Sequence, residues 1–487
     1  MARRVAAGQF QCQYAKGIHA GVGFAHGFTV GPSQGGSYTW DHYACHVVQA
    51  MLQTPYPMPG MSMPNARPVA ILGGVRIPFC RQNTAYADVG NLGMSVRTLG
   101  ALVERFGLHG QQLGEVAMGA VIKHSSDWNL GREAALSSGL SPLTPGITLQ
   151  RACGTSLDTI VHIANKIAVG QIEAGIGGGS DTTSDVPIVY GQALRRRLLA
   201  AAAAKTPKDK LATFKGFKLA DLKPDFPGVA EPRTGKSMGE HCEDMAKEWN
   251  IARDSQDEWA LSSHQKLAAA YERGFFNDLV VSFRGVSRDN ILRADSTLEK
   301  LASLKPAFDK TSGRGTLTAA NSTPLTDGAA ACLLATDEWA AARGHEVLCH
   351  LRDAHVAAVD FVHGEGLLMA PTVAVAEMLA RNNLTLQDFD FYEIHEAFAA
   401  QVLCTLKAWE DETFCREKLG WDGALGRIDR AKLNVVGSSL AVGHPFAATG
   451  ARIVATAAKL LKEKGSGRVL VSVCTAGGMG VAAIVER

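Results

Sequence analysis

One plan of strand, sharp turn and helix is written twice in this chain, and each copy sets a reactive side chain at its turn. The first copy runs from Ile147 through Leu149-Gln150-Arg151-Ala152-Cys153-Gly154-Thr155-Ser156 into the apolar repeat Leu157, Ile160, Val161, Ala164, Ile167, Ala168. The second runs from Asn434-Val435-Val436-Gly437-Ser438-Ser439 through Gly443-His444-Pro445-Phe446 into a run from Ala448 to Leu461 that closes at Lys464-Gly465. Apolar residues three and four apart predict the helices, and short apolar runs bounded by glycine predict the strands. Behind each helix comes a further strand ending in glycines, at 172–179 and at 469–478, the second carrying Cys474. Such a duplication predicts two pseudo-symmetric α/β domains with one site between them; the plainer alternative is two ordinary α/β units whose glycines only turn the chain.

A thiol at a helix opening meets unpaired backbone N–H groups, which favour thiolate over thiol and make the sulfur a better nucleophile. Cys153 is therefore the candidate centre. A lone cysteine so placed is more often plain core packing, and what raises Cys153 above that is the histidine and thiol of the second copy.

Four ordered motifs carry a resemblance: the Cys153-Gly154-Thr155-Ser156 turn, His395-Glu396-Ala397-Phe398-Ala399, Gly443-His444-Pro445, and Cys474-Thr475-Ala476-Gly477-Gly478-Met479-Gly480. Together they resemble the thiolase family over residues 67 to 487, and most resemble the 3-ketoacyl-CoA thiolases that serve as β-subunits of fatty-acid-oxidation complexes. The resemblance implies an α/β fold with two pseudo-symmetric domains in αβαβα layering and an inserted loop domain. It implies an acyl-CoA C-acyltransferase that cleaves 3-ketoacyl-CoA with coenzyme A, the coenzyme being a substrate and no cofactor being bound permanently. Most of the wider family has Asn where this chain has His395.

Cleaving a 3-ketoacyl thioester needs a nucleophile for the ketone carbon, a base to ionise it and an acid for the departing enolate. Cys153 would attack, His444 would take its proton because imidazole titrates near the working pH, and Cys474 would protonate the enolate and later deprotonate coenzyme A. Charge develops on two oxygens, and each needs its own donors. By resemblance, His395 and His444 face the enolate oxygen, and the backbone N–H groups of Cys153 and Ala476 face the other. Ala319, Thr323 and Phe398 align with positions lining the pantetheine channel, where loop packing is the alternative reading. Two departures stand out: Ser438 replaces a common glycine, and Asp158, where a neutral residue is commoner, would raise the Cys153 pKa if it lay near the sulfur.

A rival within the fold is a decarboxylating ketoacyl synthase, which needs no thiol acid, so Cys474 favours the thiolase. The runner-up functions are an acetyl-CoA C-acetyltransferase acting on acetoacetyl-CoA and a non-catalytic acyl-CoA-binding subunit. His241, His264 and the other histidines have no partner at metal-ligand spacing, and no metal is expected.

The 487 residues, 46% of them hydrophobic, suffice for two or three domains with a large core. Forty-nine basic against 47 acidic residues give a net charge of +2, which argues against a dedicated nucleic-acid partner. No uncharged apolar run approaches the roughly 18 residues of a membrane span. Ten scattered cysteines without a C-x-x-C pair fit reduced thiols, hence a cytoplasmic location, or the mitochondrial matrix if the source is eukaryotic.

Residues 1–66 hold Arg3, Arg4 and Lys16 but only Asp41 as an acid, show no apolar periodicity, and are expected to form a disordered, dispensable appendage, with Met61 or Met63 as an alternative start. The expected domains are 67–185 with 313–340, an insertion at 186–312 that covers the substrate, and 341–487. Nine basic residues against two acidic ones between Arg195 and Lys223 mark the insertion, whose basic face would meet coenzyme A phosphates, a membrane surface or water. The charged stretch from Trp409 to Lys432 is a candidate interaction surface. A homodimer or tetramer and a hydratase/dehydrogenase α-subunit are the partners the resemblance implies.

Overall fold

The computed structural model describes residues 66–487; the appendage, apart from its last residue, lies outside the described residues. The strands are β1 (Ala70–Arg76), β2 (Cys80–Arg81), β3 (Glu115–Gly119), β4 (Gly146–Ile147), β5 (Ala174–Asp181), β6 (Val189–Tyr190), β7 (Pro224–Asp225), β8 (Thr326–Ala335), β9 (Cys349–Ala358), β10 (Phe391–Ile394), β11 (Arg468–Thr475) and β12 (Met479–Glu486). The principal helices are α1 (Asn91–Arg105), α2 (Leu130–Ser137), α3 (Thr155–Ala168), α4 (Gln192–Ala203), α5 (Met238–Glu248), α6 (Arg253–Glu272), α7 (Ala370–Asn382), α8 (Ala399–Glu410), α9 (Glu412–Lys418) and α10 (Thr449–Lys464).

The duplication in the sequence is a duplication in space. One half-sheet has the order β1-β8-β5-β3-β4 and the other β9-β12-β11-β10. In both, parallel pairing, β5 with β3 and β3 with β4 in the first and β10 with β11 in the second, is joined to antiparallel neighbours. The halves are not separate sheets: β1 and β9 pair antiparallel at Ala70 with His350 and Ile71 with Cys349.

Side-chain alternation along each strand decides the layers. Ala330, Cys332 and Leu334 of β8, with Val469, Val471 and Val473 of β11, face the helix pair α3 and α10 in the middle. Ala331, Leu333 and Ala335 face α1 on one outer side, while Leu470, Ala482 and Ile484 face α7 and α8 on the other. The resulting order is helix, sheet, helix, sheet, helix. Each Leu, Ile or Val so covered contributes about 1.5–3 kcal/mol of apolar burial.

Glycine lets the middle layer close. A Cβ on Gly177 of β5 would lie 2.7 Å from Ile160 Cα, so the helix rests directly on the strand. One on Gly450 of α10 would lie 2.7 Å from Leu157 Cβ and 2.9 Å from Leu157 Cα. The two central helices therefore touch backbone to backbone at their N-terminal turns, where the Ala451 N–H donates to Ser156 Oγ at 2.8 Å.

Between the paired strands β5 and β8 the chain makes one long excursion. α5 opens with a capping box, Ser237 with Glu240, and α6 is tied to the core by a buried cluster. Arg76 donates to both carboxylate oxygens of Asp289 at 2.5 and 2.7 Å, and the Tyr271 hydroxyl donates to the same group at 2.7 Å. α4 buries only Leu194. The charged stretch after Trp409 holds α9, whose Cys415 is buried against the second outer layer. No described helix is long and apolar enough to cross a membrane.

Candidate active site

Cys153 sits in the turn before α3, which is strained and pinned. Ala152 has φ +41°, a left-handed conformation that costs a residue with a Cβ about 1–2 kcal/mol. Thr155 holds it: its hydroxyl donates to the Ala152 carbonyl at 2.6 Å and accepts from the Arg151 N–H at 2.8 Å. Gly154 packs directly against Thr475 and Val481, so the thiol turn abuts the ends of β11 and β12. Cys474 is the penultimate residue of β11 and is buried. Its neighbour in charge is Cys153, whose thiolate would repel a second one.

His395 follows β10, with its N–H on the Ser472 carbonyl at 2.8 Å. His444 precedes α10, with its N–H on Thr326 Oγ1 at 2.8 Å. The rings are 4.1 Å apart between centroids. Nδ1 of His395 meets Ser439 Oγ at 2.7 Å, and Nδ1 of His444 meets Thr449 Oγ1 at 2.6 Å. Both Nε2 atoms are buried without a partner among the described residues. A buried polar atom left unpaired costs stability, and one pair of such atoms side by side marks a place for a polar ligand.

The electrostatics overturn two expectations. The helix opening does not make Cys153 a ready thiolate: burial pushes its thiol up to about 12, and Asp181 and Glu231 push the same way, against the N–H groups of Ala476 and Cys153 itself, which favour the thiolate. Nor does His444 titrate near neutrality. Burial, with Arg452 nearby, holds it down to about 3, and burial also drives His395 well below the usual imidazole range. Burial raises Cys474 far above an ordinary thiol. Burial thus favours the neutral form of all four groups. Asp158, feared as the neighbour of the sulfur, instead pairs with Arg151 at 3.1 Å; Asp181 and Glu231 are the carboxylates that act on the thiol.

Of the remaining expected residues, Phe398 is buried and Thr323 half-buried, and they adjoin: Ser322 bridges Phe398, and the Thr323 hydroxyl donates to the Ala397 carbonyl at 3.1 Å. Ala319 lies exposed in the same loop. Glu231, Ser439, Thr449 and Arg452 have no place among the sequence candidates. Glu231, from the long excursion, accepts the Gly477 N–H at 2.8 Å and so holds the glycine turn next to Ala476. Glu396 is a hub, accepting from Trp259, Ser263 and Asn434 at 2.8–3.0 Å. A histidine followed five residues later by a hydroxyl at a helix start was the signal for Thr449; the others are joined only by the fold. Among the described residues no group of three metal-ligating side chains converges.

A nucleophilic thiol, a second thiol, two neutral imidazoles with free Nε2 atoms and two backbone N–H groups on the sulfur form the equipment of a thiol-dependent acyltransferase. The comparisons agree with that class and give its family. The thiolase N-terminal domain matches residues 69–338 and the thiolase C-terminal domain residues 345–487. The chain is 40% identical over 424 residues to a 3-ketoacyl-CoA thiolase of Yersinia pestis (strain Pestoides F), covering 86% of this chain and 96% of that protein. The same figures hold for one from Yersinia pseudotuberculosis serotype O:1b. Among solved structures, the acetyl-CoA acetyltransferase of Bacillus anthracis matches with TM-score 0.72 and 31% identity, over 87% of this chain and 99% of that one. The chain belongs to the thiolase family and is an acyltransferase.

Proposed function

We propose that this enzyme cleaves 3-ketoacyl-CoA with coenzyme A to acetyl-CoA and an acyl-CoA two carbons shorter, in fatty-acid oxidation. The observation that carries the reading is the meeting of Cys153 and Cys474 at the ends of two adjoining elements, with His395 hydrogen-bonded to β11 two residues before Cys474 and its ring 4.1 Å from that of His444. Cys153 Sγ adds to the ketone carbon as its proton passes to His444 Nε2, and the alkoxide lies against the N–H groups of Cys153 and Ala476. The bond between the α and β carbons breaks, its electron pair enters the thioester enolate, and His395 with protonated His444 faces that oxygen. Cys474 gives its proton to the α carbon, which completes acetyl-CoA. Coenzyme A then loses its thiol proton to Cys474 and attacks the acyl group. The Cys153 sulfur leaves, recovering the proton from His444. Ala319, Thr323 and Phe398 line the approach of the pantetheine arm.

Degradation is the favoured direction because condensing two thioesters is uphill. Relatives named 3-ketoacyl-CoA thiolase support 3-ketoacyl-CoA as the substrate class; the likeness to an acetyl-CoA acetyltransferase supports acetoacetyl-CoA as the second reading. Specificity constants for 3-ketoacyl-CoAs of four to sixteen carbons test this. They are expected to rise beyond four carbons; a sharp peak at four establishes the second reading, and no cleavage at any length refutes both. The proposed assembly is a homodimer or tetramer in the cytoplasm or mitochondrial matrix, working with a hydratase/dehydrogenase subunit. In the excursion, Leu211 and Leu219 are each more than three-quarters exposed amid the basic run, and Val229 is so just beyond it, which supports contact there with that subunit or a membrane surface.

A further inference from the structure

A neutral imidazole carries one N–H, and which nitrogen holds it decides whether Nε2 donates or accepts. At His395 and His444 the hydroxyl under each ring settles the matter, and the two hydroxyls differ. Ser439 Oγ receives a 2.6 Å bond from Nη2 of Arg452, a group that can only donate. The hydroxyl hydrogen then needs an acceptor of its own, and among the described residues the one it has is Nδ1 of His395 at 2.7 Å. If Nδ1 were protonated instead, three hydrogens would meet at one buried oxygen and the hydroxyl proton would have no partner, at a cost of about 1–3 kcal/mol. Arg452 is itself well placed to keep this order. It is buried in α10 and forks onto Ser438 Oγ as well, at 3.2 Å. Burial lowers its pKa only to about 10, so it stays a cation at neutral pH. At His444 the arrangement is freer: among the described residues Thr449 Oγ1 receives no guanidinium, so it can accept from Nδ1–H and leave Nε2 with its lone pair.

We propose that Arg452 and Ser439 are positioning residues that lock His395 as the Nε2–H tautomer, dividing the paired imidazoles into a donor for the substrate oxygen and, at His444, an acceptor for the thiol proton. The inference rests on the thiolase reading, in which His395 faces the enolate oxygen. It separates two half-reactions. Steps through the enolate need the His395 donor, whereas acyl transfer at Cys153 relies on the N–H groups of Cys153 and Ala476. A merely structural role for Ser439 would spoil both together.

The test uses the full-length chain with Ser439→Ala, which removes one buried oxygen. Two rates are measured: exchange of the acetyl-CoA α-protons with deuterated water, and acetyl exchange between acetyl-CoA and 3′-dephospho-coenzyme A. Proton exchange is expected to fall about 10- to 100-fold while acetyl exchange stays within about twofold, because the rate follows the fraction of His395 that keeps its Nε2 proton and that fraction drops to about a tenth or less. Nitrogen-15 spectra of labelled histidine should show His395 protonated at Nε2 in the parent and predominantly at Nδ1 in Ser439→Ala. An unchanged proton exchange, a parallel loss of both rates, or a parent His395 protonated at Nδ1 overturns the proposal. His395→Ala separates the layers: if it retains proton exchange, the thiolase role of His395 fails. If it loses that exchange while Ser439→Ala does not, the role stands and the lock fails.

Discussion

Replacing Gly450 with alanine tests whether the backbone contact of the central helices sets the catalytic geometry. In an ordinary helix interior the change stabilises by up to about 1 kcal/mol. Here the new Cβ would sit 2.9 Å from Leu157 Cα and closer still to its amide nitrogen, where ordinary contacts begin near 3.4 Å. Backbone cannot rotate aside, so α3 and α10 must part by about 1 Å, and overpacking of this kind costs about 1–3 kcal/mol. The strain offsets the propensity gain and leaves a net loss of up to about 2 kcal/mol. Function should suffer more than stability. Cys153 lies two residues before α3 and His444 five before α10, so parting the helices separates nucleophile from base, and a misplacement near 1 Å costs about 100-fold in rate. Urea unfolding and thiolysis kinetics on the same preparation read both effects. Parent stability with parent kcat/KM would refute the argument that this contact holds the two groups in register.

Cys474→Ser should still form the acyl-enzyme from acetyl-CoA yet lose α-proton exchange by about 100-fold or more, since a serine hydroxyl is too weak an acid for the proton transfers; retained exchange would remove Cys474 from its role. Alkylation of Cys153 by iodoacetamide in the free enzyme should climb with pH without levelling below about pH 10, because burial pushes that thiol up to about 12; a plateau near neutrality contradicts this. Stability should fall on acidification from pH 6.5 toward 3. Burial lowers the folded-state pKa of His264 to about 4 and of His444 to about 3, from 6.5, so across that window the unfolded chain binds protons the folded one refuses. Urea midpoints that stay level or rise between pH 6.5 and 4 would contradict the assignment of these rings as buried and neutral.

Much of this was legible because it is local. The apolar spacing at Leu157, Ile160 and Ile167 gave α3, and glycine-bounded runs gave β5 and β11. The duplicated plan foretold the matched half-sheets, though not that β1 and β9 would join them, since strand partners across 280 residues leave no local mark. Cys153, His395, His444 and Cys474 stood out by motif. Their ionisation did not: a helix opening is visible in sequence, whereas desolvation depends on everything packed above the sulfur, and it outweighs the helix here. Glu231 escaped notice because nothing in its own segment points to Gly477, and Arg452 because its partners lie thirteen and fourteen residues back across a turn.

The account stands on Cys153 as the atom that carries the acyl group. Incubating the full chain briefly with acetyl-CoA alone, quenching in acid and mapping peptides by mass spectrometry shows where the acetyl group rests. It is expected on the Cys153 peptide only, and added coenzyme A should strip it off. An acetyl group on Cys474 or Cys80, or a chain that turns over substrate while Cys153 is never acylated, would contradict the account.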